Sequence, residues 1–170
     1  MARLTIPDWE SDPALTELVH KIGGQRLRVG ELYLTLTNSP VIAEGWLHMG
    51  TAARQATTDC VDLRELIFCY VGKLNGAGHE YNSHVPQALR AGITERQIAE
   101  LMSWETSDAF SPDQRAVLAY AKAMTRDIVV PDEVFVEIKQ RFSNARIVEL
   151  TALIGFLNMV SRFLVALEID

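Results

Sequence analysis

Cysteine is nearly absent: Cys60 and Cys69 are the only two in 170 residues. They form no C-x-x-C pair, no zinc-ligand spacing and no disulfide framework, which argues against a dithiol redox centre and against a stapled secreted scaffold. Basic residues are also scarce, with 16 Lys and Arg against 22 Asp and Glu for a formal charge of −6. That balance argues against a cationic face for nucleic acid. No segment alternates with period two between hairpin turns, so no sheet is required. Internal repeats and low-complexity tracts are lacking too. The opening stretch MARLTIPDWESDP has no apolar core of a secretory signal, and a cytoplasmic protein with no membrane partner is expected. The one long apolar run, Leu150 to Leu167, is interrupted by Asn158, Ser161 and Arg162 and flanked by acids, so it reads as a buried core or subunit-interface helix.

Helical periodicity is what the sequence has in abundance. With 48% hydrophobic residues, the chain can bury one sizeable core, and a single all-α domain of seven or eight helices is expected. Residues 1–28 read as an N-terminal arm and first helix, and residues 29–170 as the main helical domain. Asp12-Pro13 can start the first helix, and Gly23-Gly24 end it. Ser39 before Pro40 and Asp62 are expected caps of the next long helices, and Thr94 with Gln97 and Ser111 with Gln114 have capping-box spacing.

The stretch Glu65 to His84 carries the chemistry. Leu63, Leu66, Ile67, Tyr70, Val71 and Leu74 form one apolar stripe, yet Phe68, Cys69 and Gly72 make the other side apolar as well. Glu65 shares that side and is expected to be buried with it, which costs several kcal/mol unless the carboxylate finds a partner. After the break at Asn75 to Gly78, Glu80 and His84 are four apart on one face of a second helix and His79 projects to its side. If the two helices fold together, Glu65, Glu80 and His84 converge, and such groups exchange protons near neutral pH. Glu-x-x-x-His matches neither zinc-protease nor di-iron spacing, so no metal is expected. Pro86 should kink this helix. Tyr81, Tyr70 and His48 are further candidates to touch a ligand, and Arg54, Arg64, Lys73 and Arg162 are the cations available to an anionic one.

Arg64-Glu65-Leu66, Asn75-Gly76-Ala77-Gly78-His79-Glu80-Tyr81, His84-Val85-Pro86 and Ala91-Gly92-Ile93-Thr94 together resemble the signature of the carboxymuconolactone decarboxylase family, which includes the AhpD-like alkylhydroperoxidases. The resemblance extends from about Val29 to the C-terminus. It implies an AhpD-like helical domain built into a homo-oligomer, a trimer or hexamer. In the peroxidase branch a C-x-x-C opens the second helix; here Ala77 and Glu80 stand in those places while Glu65 and His84 keep the proton-relay positions. The resemblance therefore implies a cysteine-free, cofactor-independent lyase or decarboxylase acting on a small carboxylate or lactone. In that reading His84 transfers the proton, Glu80 orients it or acts as acid, and Glu65 relays. His79, Tyr81, Cys69, His48 and Arg54 would border the substrate.

Overall fold

The computed structural model describes residues 2–25 and 29–169. Among these residues it is entirely helical, with nine α-helices: α1 (Pro13–Gly23), α2 (Glu31–Leu36), α3 (Pro40–Ala56), α4 (Val61–Leu74), α5 (Gly78–Arg90), α6 (Glu95–Glu100), α7 (Pro112–Lys122), α8 (Asp132–Arg141) and α9 (Asn144–Leu167). The expected count of seven or eight falls short of these nine, two of which, Glu31–Leu36 and Glu95–Glu100, are only six residues long. The expected division after residue 28 falls beside residues 26–28, which lie outside the described residues.

Local chemistry sets most of the boundaries. Asp12 accepts hydrogen bonds from the N–H groups of Ala14 and Leu15, and both capping boxes close reciprocally, Thr94 with Gln97 and Ser111 with Gln114. Two expected caps differ. Ser39 precedes α3 without a side-chain cap bond, and Pro40 at the first helical position favours the helical φ there. Asp62 lies inside the first turn of α4, whose cap position is Cys60, so its charge favours the helix N-terminus without capping it.

Helix α4 is the central element and packs against α5, α7 and α9. Leu66, Ile67 and Val71 are fully buried, and each such side chain stabilises the fold by about 1.5–3 kcal/mol. Together they offset the several kcal/mol that burial of Glu65 costs. This first core draws Val117, Leu118 and Ala121 from α7, Ile138 from α8 and Leu150, Leu153, Ile154 and Leu157 from α9. A second core gathers Leu18 and Ile22 of α1, Leu36 of α2, Ala43, Trp46 and Leu47 of α3 and Val160 and Leu164 of α9. Helix α9 spans both, and Phe156 touches each of them. By length and composition α9 could cross a membrane, but here its buried face carries both cores. The N-terminal arm docks on the end of α9: Arg3 N–H bonds the Leu167 carbonyl at 2.9 Å and the Arg3 guanidinium pairs with Glu168.

Two glycines allow α4 and α5 to fold against each other. A Cβ on Gly72 would lie 3.1 Å from the Tyr81 backbone nitrogen, so only glycine permits this approach without a shift. Gly76 turns the chain at φ +69°, where a side chain would be strained.

Candidate active site

The α4–α5 contact brings Glu65, Glu80 and His84 together. Glu65 is 1% exposed, His84 5% and Glu80 7%. His84 Nδ1 lies 2.6 Å from Glu65 Oε2, and the Arg64 Nε–H donates to the other oxygen, Oε1, at 3.0 Å. Burial alone would push the Glu65 carboxyl up. The hydrogen bonds and charges of His84 and Arg64 outweigh it, and the net result lies below the usual carboxylate value. An ionised Glu65 can only accept, so Nδ1 of His84 carries a proton. That leaves Nε2, which stands 3.6 Å from Glu80 Oε1, longer than a hydrogen bond.

Glu80 is the opposite case. Burial raises its carboxyl above the usual value, against the lowering influence of His84, Arg54 and His79. Two carboxylates thus flank one imidazole, the first held ionised and the second favouring its proton. That separation is the pattern by which environments assign a base and an acid.

The ring of His84 stacks on Phe68 at 3.9 Å and 13° between planes, and the Arg54 guanidinium sits over the Phe68 ring at 4.9 Å. Arg54 also borders a cleft of about 590 Å3 that runs along α5, where His79, Ser83, Gln87 and Arg90 recur at helical spacing. Glu80 and His84 lie one residue further round α5 and are not among the cleft's lining residues; Phe68, stacked on His84, carries Arg54 of the cleft over its ring. On the far side the cleft meets Gln25, Gly30, Leu32 and Tyr33.

The other candidates distribute clearly. Cys69 is fully buried in the first core, and burial, then Glu65 and Glu80, push its thiol up to about 12. Tyr81 is half-buried with Lys73 over its ring at 4.0 Å. His48 is exposed on the outward face of α3 and does not line the cleft. Tyr70 accepts a hydrogen bond from the Trp104 indole N–H at 2.8 Å, a structural partner. Among the cations, Arg64 is engaged with Glu65 and with the Arg54 carbonyl, and Arg162 bonds Asn158. Arg54 is the one of the four that borders the cleft. Arg90, Phe68, Leu32 and Tyr33 were not singled out by sequence. Position 90 repeats His79 at i+11 on one helix face, which is a usable signal; the α2 residues offered none. Among the described residues no group of three His, Cys, Asp or Glu side chains is arranged to hold a metal ion.

The domain thus pairs a buried glutamate on one helix with a buried histidine on the next, and no C-x-x-C accompanies them. Residues 40–123 match the carboxymuconolactone decarboxylase family, which supports assigning the chain to it. The uncharacterized protein YdfG of Bacillus subtilis is 29% identical over 106 residues, which are 61% of this chain and 72% of that protein. A protein of unknown function from Agrobacterium tumefaciens, ATU0492, described as a putative antioxidant defence protein AhpD, is similar in fold, with a TM-score of 0.71 at 22% identity over 79% of this chain and 93% of that one. The debrominase Bmp8, as a cysteine-to-alanine variant in complex with 2,3,4-tribromopyrrole, is similar in fold with a TM-score of 0.78 at 18% identity, covering 99% of this chain and 92% of that one.

Proposed function

We propose that this protein is a cofactor-independent, decarboxylase-like lyase that acts by acid/base chemistry on a small conjugated lactone or carboxylic acid. The observation that carries the reading is the Glu65–His84 contact of 2.6 Å with a buried carboxyl, Glu80, in the position where the peroxidase branch has its second cysteine. Peroxide reduction by a dithiol is disfavoured, because Ala77 and Glu80 supply no thiol and Cys69 is locked in the core as a neutral thiol.

In the proposed reaction the substrate carboxylate leaves as CO2 and its bonding electron pair moves into the conjugated carbonyl, giving a dienolate. Protonation of carbon then completes the turnover. His84, oriented by Glu65 through Nδ1, delivers the proton from Nε2, and Glu80 supplies or replaces it. Arg54 at the cleft edge offsets charge on the bound anion and the developing enolate. The test is CO2 release from a carboxylated unsaturated lactone. His84→Ala is expected to lower turnover by about 10²–10⁴-fold, and equal rates in variant and wild type would remove the mechanism. An isomerised or hydrated product without CO2 would assign the same residues to an isomerase or hydratase instead.

The assembly belongs to the same proposal. Val41, Ile42 and Met49 on α3 and Val148, Met159 and Val165 on α9 are exposed, Val41 to 81%. The two helices are in contact, and these exposed apolar side chains are candidates for burial against a second copy. A trimer or hexamer is expected, and light scattering that finds a lone 19.0 kDa species would count against it.

A further inference from the structure

The cleft has two chemically different walls. The α3–α5 side carries Arg54 and Arg90, and among the described residues that line the cleft none is acidic, in a chain of net charge −6. A cationic wall on an anionic protein is a local feature, and it selects an anion. The same cleft is lined by Leu32 and Tyr33 of α2 and by Pro86, which lies inside α5. Leu32 and Tyr33 also pack against the second core, so their rings and branches are held in place before any ligand arrives. These two residues fall outside the matched family segment 40–123. Glu65, Glu80, His84, the two arginines and Pro86 lie in the matched part of the chain, whereas Leu32 and Tyr33 come from a segment before it.

We propose that this cleft binds a monoanionic aryl carboxylate, its flat ring against Leu32, Tyr33 and Pro86 and its carboxylate toward Arg54 and Arg90. A ring on Tyr33 gains an aromatic contact that an aliphatic chain lacks. The two arginines provide planar donor forks for a carboxylate. A volume of about 590 Å3 is within the range of roughly 300–1,000 Å3 usual for such ligands. The proposal rests on the acid/base reading only in taking this cleft as the substrate's entrance.

Titration calorimetry with cinnamate, hexanoate and benzyl alcohol tests it, since these share the ring or the charge but only cinnamate has both. Cinnamate is expected to bind more tightly than either. Tyr33→Ala and Arg90→Gln are each expected to weaken it about tenfold, a loss of about 1.4 kcal/mol, while Tyr33→Phe, which keeps the ring, retains binding and serves as the folded control. Hexanoate binding as tightly as cinnamate, cinnamate failing to bind, or Tyr33→Ala binding cinnamate as well as Tyr33→Phe would each overturn the proposal. Failure of the acid/base reading is read separately, from turnover by His84→Ala, and leaves a Tyr33-dependent affinity standing.

Discussion

Two buried polar clusters border α4, and they are built on opposite principles. One is Glu65, His84 and Glu80. The other lies at the far end of the helix, where the Asn75 side-chain amide donates to Asn158 Oδ1 at 3.0 Å and Asn158 donates in turn to Thr125 Oγ1 and the Ile154 carbonyl. Arg162 donates to Asn158 Oδ1 at 2.7 Å. That second cluster is neutral at its centre, and Asn158 is engaged through both ends of its amide. It ties the end of α4, the segment after α7 and the middle of α9 together, and it faces none of the cleft. The first cluster holds formal charge and leaves His84 Nε2 at 3.6 Å from Glu80. A closed hydrogen-bond inventory stabilises; an open one keeps a proton movable.

The comparison can be broken or sharpened by substitution. The largest effect is expected from Glu65→Ala, which strips the partner from His84 and Arg64 in a buried site. It should cost about 3–5 kcal/mol of stability, measured by chemical denaturation. The cost has a pH signature. The Glu65 carboxyl lies below its usual value in the folded protein, so its contribution is present above the unfolded-state value and is lost as pH falls through the folded one. Wild type and variant should therefore converge in acid; a gap that stays constant would show that packing, not the ion pair, sets the loss. Next comes Asn158→Ala, which leaves Asn75 and Arg162 without their shared acceptor and should cost about 1–3 kcal/mol. Turnover per folded molecule is expected to stay unchanged, and a fall in step with the His84 variant would erase the distinction between the clusters.

A smaller effect is expected from Gly72→Ala. The added Cβ meets the Tyr81 backbone at 3.1 Å, and moving α5 away should cost about 1 kcal/mol and lengthen the Glu65–His84 contact, visible as a weakened pH dependence of stability. The smallest change has the opposite sign. Glu80 is raised by burial, so its ionisation destabilises the fold as pH rises through the folded-state value. Glu80→Gln should raise the melting temperature by about 2–4 °C at neutral pH, the shift that about 1 kcal/mol gives a chain of this size, and by less in acid. A lower melting temperature at neutral pH would show that the Glu80 carboxyl is needed by its neighbours in charged form.

Local signals carried much of this structure. The boxes at Thr94 and Ser111 were legible because a cap and its partner are three residues apart and decide each other. Burial of Glu65 was legible because α4 leaves no polar face for it to occupy. Convergence with His84 came from the short glycine turn, which permits little besides an antiparallel return. The remainder depends on distance in sequence. Leu32 and Tyr33 share a cleft with Pro86 and Arg90, and no periodicity within a helix reports that. The stacking of Phe68 on His84 was hidden for the same reason, since an aromatic residue on a helix that is apolar all round is indistinguishable from its neighbours. Ser39 and Asp62 mark the limit of local rules: each was a competent cap, and the backbone used a different solution.

The widened turn Ala123–Asp127 comes directly after α7 and is a π-type turn. Such a turn holds about one residue more than an α-helical turn of the same kind, and Thr125 within it reaches Asn158. The segment is in effect a stored insertion. Removing a single residue here would relax the turn to an ordinary helix and withdraw Thr125 from α9. A deletion at this place is thus a matter of register, tolerated by the backbone and felt 33 residues later in the chain, at Asn158.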